Sequence, residues 1–173
     1  MKILIAEDDH DIALSYKSAL ESNDHEVIIA SNGEECLELY RNNSKQISES
    51  NSGNSSSTFD AVILDYKMPK KDGIEVAKEI LELNPNQRII FASAYVKETL
   101  VDAVKHLKQV VELMQKPFDA NALVDTVEDK GVYEDLKKLM VSVRQIKEDR
   151  EPTQQQIRDL FESLRKIQKG RTF

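Results

Sequence analysis

Residues 2–9 read Lys2-Ile3-Leu4-Ile5-Ala6-Glu7-Asp8-Asp9, an apolar run that breaks off abruptly into acids. A short run with no polar alternation predicts a strand covered on both faces, as in a parallel sheet lying between layers of helix. The pattern returns at Ala61-Val62-Ile63-Leu64-Asp65, again apolar until an acid closes it. Glu26–Ala30, Arg88–Ala92 and Val110–Met114 read as three more strands, and helical periodicity fills the gaps. The expectation is an α/β fold with a mainly parallel five-stranded sheet, about four intervening helices and right-handed crossovers. Ser31-x-x-Glu34 and Asp72-x-x-Glu75 resemble capping boxes, and Asp119 after Pro117 offers a simpler cap.

Outside this frame the chain has two appendages. From Asn42 to Thr58, 11 of 17 residues are Ser or Asn and only Ile47 is strongly apolar, so residues 42–58 are expected to form an exposed insertion. After Lys130 the spacing of Val132, Leu136, Leu139, Val143 and Ile146 marks a helical stripe. Glu151-Pro152 stops it, Thr153-x-x-Gln156 caps a second helix, and Ile157, Leu160, Leu164 and Ile167 form its stripe. The predicted division is a domain over 1–130 and an antiparallel helical hairpin over 131–173.

With 40% hydrophobic and 32% charged residues the chain has the balance of a folded globular protein. No apolar run approaches a membrane span, and Glu7 interrupts the first run where a signal peptide would stay apolar, so a cytoplasmic protein without membrane contact is expected. The net charge of −7 is uneven: 14 basic and 24 acidic residues through Lys130 give −10, and 10 basic and 7 acidic beyond it give +3. The basic tail keeps nucleic acid as a less favoured partner, through Arg158, Arg165, Lys166 and Lys169. Cys36, the sole cysteine, falls in an amphipathic helix and reads as a core residue.

In such a fold the loops leaving the carboxyl ends of the strands converge where strand order reverses. Glu7 and Asp8 end the first strand and Asp65 the third, so the three acids share a pocket if those strands are neighbours. Mg²⁺ suits such a cluster, since it takes a few hard oxygen ligands and keeps positions open for phosphate oxygens. Two acids alone would equally serve to cap a helix and offset its dipole. Ser93 ends the fourth strand and Lys116 follows the fifth, adding a hydroxyl and a cation at the same edge. A carboxylate attacking a phosphoryl group needs such neutralisation.

Ile3-Leu4-Ile5-Ala6-Glu7-Asp8-Asp9, Asp65-x-x-Met68-Pro69-x-x-Asp72-Gly73, Ala92-Ser93-Ala94 and Lys116-Pro117-Phe118 together resemble the signature of response-regulator receiver domains of two-component signalling, over Met1 to about Lys130. The resemblance implies a doubly wound, flavodoxin-like sheet of order 2-1-3-4-5. It implies that Asp65 accepts a phosphoryl group from a sensor histidine kinase, that Asp8, Asp65 and the Lys67 carbonyl ligate Mg²⁺, and that Glu7 assists through water. Ser93 and Lys116 would contact the phosphoryl oxygens, and Asp9 would cap a helix. A protein of this kind catalyses its own phosphoryl transfer and slow dephosphorylation rather than turning over a substrate. Leu113 replaces the family's usual aromatic switch residue, no Gly lies between Ser93 and Lys116, and Tyr95 reads as packing.

The rival enzyme class is a haloacid-dehalogenase-type phosphatase, which also uses a strand-end aspartate with Mg²⁺ but wants an acid two residues later, where Lys67 stands. His10, His25 and His106 lack metal-ligand spacing, and the tail holds no histidine, which excludes a histidine phosphotransfer role for it. Tyr133, Met140 and Phe161 widen the tail's stripes beyond what one hairpin partner covers, so the domain's own last helix or the same hairpin of a second chain must cover them, and a homodimer through the C-terminal helices is the favoured expectation.

Overall fold

Five short strands form in the computed structural model where the apolar runs lie, and each ends where a charged or polar residue needs solvent or a partner. Residues 1–49, 59–94, 107, 109, 111–131, 133–135 and 137 are described. The elements are β1 (Lys2–Ala6), α1 (His10–Glu21), β2 (Glu26–Ala30), α2 (Gly33–Glu49), β3 (Ala61–Leu64), α3 (Gly73–Leu83), β4 (Ile89–Ser93), β5 (Glu112–Gln115) and α4 (Ala120–Glu128). The helix expected between β4 and β5, Tyr95, His106 and most of the C-terminal stripes lie outside the described residues. By compactness the chain divides into Met1–Asp125 and Thr126–Phe173. Within the second unit, residues 130, 131, 133–135 and 137 are helical or flank helix, and the Lys137 ammonium lies 5.7 Å from the Tyr133 ring centroid. No described helix is long and apolar enough to cross a membrane.

All strand pairs are parallel, in the order β2-β1-β3-β4-β5. The reversal between β1 and β3, with right-handed crossovers, decides which face each helix covers. A right-handed crossover from β1 to β2 puts α1 on one face, while the return from β2 past β1 to β3 puts α2 on the other, where α3 joins it. The core cluster agrees: Leu4, Ala6, Val62, Leu64, Ile89 and Phe91 pack with Cys36, Leu37 and Tyr40 of α2 and with Val76, Ala77 and Ile80 of α3. Their neighbours along the strands, Ile3, Ile5, Ile63 and Ile90, are equally buried but face the other way. Each such Ile or Leu contributes about 1.5–3 kcal/mol relative to an exposed position. Cys36 is the core residue it was expected to be, and burial pushes its thiol up to about 12, with Glu35 adding.

The helix starts show one correction. Asp9, Asp72 and Asp119 cap α1, α3 and α4, Asp72 with a full capping box. For α2 the cap is Asn32, not Ser31: the Glu35 amide donates to Asn32 Oδ1 at 3.1 Å, while Glu35 Oε2 accepts from the Ser31 amide and hydroxyl. Both residue types can cap, and only the reach of Glu35 decides between them. Helix α2 also runs through the first part of the Ser/Asn-rich stretch, to Glu49.

The fifth strand departs further from its expected range. It starts at Glu112 rather than Val110, because pairing with β4 (Ile90↔Glu112 to Ser93↔Gln115) fixes it. Its burial alternates, as suits an edge strand, instead of staying closed on both faces. A charged residue is tolerated at its start because Glu112 receives a bidentate grip from Arg88, Nε to Oε2 at 2.7 Å and Nη2 to Oε1 at 2.9 Å.

Candidate functional site

The strands set the spacing of the site, since the backbone ladder continues one bond past their apolar runs. The Glu7 amide donates to the Ala30 carbonyl at 3.1 Å, the Asp65 amide to Ala6 at 2.9 Å and the Lys116 amide to Ser93 at 2.9 Å. Three residues distant in sequence are thereby pinned along the carboxyl end of the sheet, Glu7 and Asp65 on the two strands where the order reverses. The Lys116–Pro117 peptide bond is cis.

Carboxylate oxygens of Glu7, Asp8 and Asp65 lie within 4.8 Å of one another, with Glu7 buried, Asp65 half-buried and Asp8 exposed. The Lys116 Nζ stands 2.5 Å from Glu7 Oε2 and 3.4 Å from Asp65 Oδ1. Three carboxylates and one ammonium leave a formal charge of −2 (−3 + 1). Burial raises the carboxyl pKa of Glu7, with Asp65 adding, and the hydrogen bond and charge of Lys116 offset this only in part. Burial likewise raises Asp65, opposed chiefly by the Lys116 charge and reinforced by Asp8. A set of hard oxygen donors with a doubly negative balance and one exposed member fits a small divalent cation.

Ser93 is buried at the end of β4; Leu64 pairs with Phe91, so Asp65 is level with Ala92 and Ser93 stands one residue beyond. Lys67 is exposed on the loop after Asp65. That loop is closed by the Gly73 amide, which donates to the Tyr66 carbonyl at 3.0 Å. A Cβ on Gly73 would overlap the Asp65 carbonyl oxygen, which accounts for the glycine after the Asp72 cap. Lys70 in the same loop holds φ at 68°, a conformation costing a non-glycine residue about 1–2 kcal/mol. The described histidines stand apart: His10 opens α1, and His25 Nδ1 lies 3.3 Å from the terminal amine.

The structure adds a residue that the sequence did not single out. Tyr16 of α1 stacks on Phe118, ring centroids 5.3 Å apart and planes 16° from parallel, and the Lys116 ammonium lies 6.0 Å from the Tyr16 centroid. Ala13, Tyr16 and Leu20 form the buried face of α1, and in sequence that spacing announces only core.

The raised carboxyls make a testable statement. A carboxyl raised by folding contributes stability that is fully present below its ordinary pKa and lost as pH rises through the folded value. At neutral pH the folded protein therefore carries the cost of ionised Glu7 and Asp65, which a bound cation relieves. Mg²⁺ at ten times its Kd is expected to raise the melting midpoint at pH 7.5 by roughly 3–6 °C. The increment should shrink toward pH 4.5; calorimetry showing an equal increment there would place the metal elsewhere.

Comparison with known proteins agrees with this geometry. A family model described as the response regulator receiver domain matches residues 3–128. The chain is 30% identical over 128 residues to the chemotaxis protein CheY of Bacillus subtilis, covering 73% of this chain and 93% of that one. Among solved structures it resembles the CheX–CheY–BeF3–Mg²⁺ complex from Borrelia burgdorferi, with a TM-score of 0.61 and 28% identity over 73% of this chain and 86% of the other. A CheY-like receiver from Methanospirillum hungatei, at 24% identity, shares the fold with a TM-score of 0.62 over 75% of this chain and 91% of that one. The chain, matched from residue 3 to residue 128, belongs to the response regulator receiver domain family.

Proposed function

We propose that Asp65 is the phosphoacceptor of a signalling switch charged by the phosphohistidine of a sensor histidine kinase. The observation that carries this is the convergence of Glu7, Asp8 and Asp65 with the Lys116 ammonium at the switch point of the sheet. An Asp65 carboxylate oxygen attacks phosphorus, the P–N bond of the donor breaks, and the imidazole nitrogen keeps that electron pair. Asp8, Asp65 and the Lys67 carbonyl would hold Mg²⁺, with Glu7 assisting through water; when bound it would neutralise charge between carboxylate and phosphoryl oxygens. Ser93 donates to a phosphoryl oxygen, and Lys116 shifts its pairing from Glu7 toward the new charge. The same groups support slow loss of the phosphate, without turnover of an external substrate. The Mg²⁺ and BeF3 named for the Borrelia complex support this site chemistry. Lys67 occupies the position where a dehalogenase-type hydrolase would need its second acid, so nothing favours that rival. Incubation with acetyl phosphate, with and without Mg²⁺, followed by intact mass measurement, tests the proposal: no mass gain of one phosphoryl group sinks it.

The domain proposed for this work is 1–130, with 131–173 as a helical hairpin that reads the change by self-association. Light scattering of the full chain at tens of micromolar is expected to show a dimer modulated by phosphorylation. A monomer under both conditions removes the dimer, and salt-sensitive binding to duplex DNA would put nucleic acid in its place.

A further inference from the structure

We infer that Tyr16 is a positioning residue for phosphoryl transfer: its ring holds the Lys116 side chain, and through Phe118 the loop that carries it, in place beside Asp65. This rests on Asp65 being the phosphoacceptor. Tyr16 of α1 meets the loop at two points, the ammonium of Lys116 at 6.0 Å and the ring of Phe118, two residues further on, at 5.3 Å. Tyr16 is almost fully buried and the Lys116 side chain nearly so, which is where the attraction between a cation and a ring face is strongest.

Glu7 and Asp65 draw the ammonium toward the acids, and the Tyr16 ring attracts it from the side of α1. A neutral ring face takes up none of the ammonium's hydrogen bonds, so that attraction can persist while the ammonium changes partners. A cavity of about 570 Å³ lies beside the pair, lined in part by Ile12, Ser15, Tyr16, Ala94, Lys116 and Phe118. Burial, then the charges of Glu7, Asp65 and Asp9, hold the phenol well above its ordinary pKa, so Tyr16 stays neutral at the site.

A Tyr serving only as core, alongside Ala13 and Leu20, would affect stability but would not act through Lys116. The test is a double-mutant cycle on the full chain, reading the rate of Mg²⁺-dependent labelling against acetyl phosphate concentration. Tyr16→Leu is expected to lower the limiting rate about ten-fold with little change in the half-saturating donor concentration. Tyr16→Phe, which keeps both ring contacts, should restore the rate to within about two-fold. In a Lys116→Ala background Tyr16→Leu should cost nothing further. An unaffected rate in folded Tyr16→Leu, a Phe variant as slow as the Leu variant, or an undiminished loss in the Lys116→Ala background overturns the inference. If Tyr16→Leu does not fold, Phe118→Leu taken through the same cycle decides in the same way. Unlabelled wild-type protein would overturn the Asp65 assignment and this inference with it, whereas labelled wild type with an unaffected Tyr16→Leu overturns this inference alone.

Discussion

Asp65→Asn is expected to lower Mg²⁺-dependent labelling by acetyl phosphate at least about 10³-fold, because an amide oxygen is too weak a nucleophile to displace the leaving group. The variant should fold no worse than the parent. Burial raises the Asp65 carboxyl, so its ionised form costs free energy at neutral pH, and a neutral residue of the same shape removes that cost. The Lys116 ammonium keeps its 2.5 Å contact with Glu7 in the variant. Lost labelling together with an equal or higher melting midpoint at pH 7.5 is therefore the result that assigns Asp65. Labelling at the parental rate would move the phosphoacceptor to another residue, and labelling lost together with the fold would leave chemistry and packing entangled. Mass spectrometry and calorimetry on one preparation separate these outcomes.

Legibility followed how local the determinant was. The ends of β1 and β3 are written in single steps of sequence, Ala6 to Glu7 and Leu64 to Asp65, and those steps also place the acids of the site. Strand order was not written there, since no property of Ile3 or Ile63 says which strand it will pair with; it came from the resemblance, and the parallel pairing of β1 with β3 bears it out. The edges of β5 differ from the apolar run because such a run reports burial, whereas Glu112 enters the strand through its ladder with β4 and the reach of Arg88. Tyr16 was invisible for a related reason. Its i, i+3, i+7 companions predict a buried face correctly, but whether that face meets core or a charged loop depends on where the Lys116–Phe118 segment returns, a contact across about a hundred residues of chain.

The second large effect is expected from Lys116→Ala, which removes the ammonium beside Glu7 and Asp65. Glu7 and Asp65 are then left facing each other and Asp8, with burial opposed by the backbone hydrogen bonds from Asp9 and Tyr66 but by no ammonium from Lys116, so both carboxyls rise further above their ordinary range. The sign follows directly: stability is retained at low pH, where the carboxyls are protonated in folded and unfolded chains alike, and lost as pH rises through the raised values. Without metal the variant should be about 2–4 kcal/mol less stable than the parent at pH 7.5, the scale expected when one partner of a buried pair is deleted. The deficit should narrow toward pH 4.5. Mg²⁺ should recover part of it, and more in the variant than in the parent, because the cation then carries the whole neutralisation. Labelling with saturating Mg²⁺ is expected to fall about 10²-fold, as for other sites that lose one preorganised charge stabiliser. The phosphorylated variant should also lose the phosphorylation-induced change in its near-ultraviolet dichroism, since the ammonium's new partner is the added phosphate. Denaturant titrations at the two pH values, each with and without Mg²⁺, check the electrostatic half. A deficit independent of pH and of Mg²⁺ would mean that Lys116 contributes through the burial of its side chain rather than through its charge.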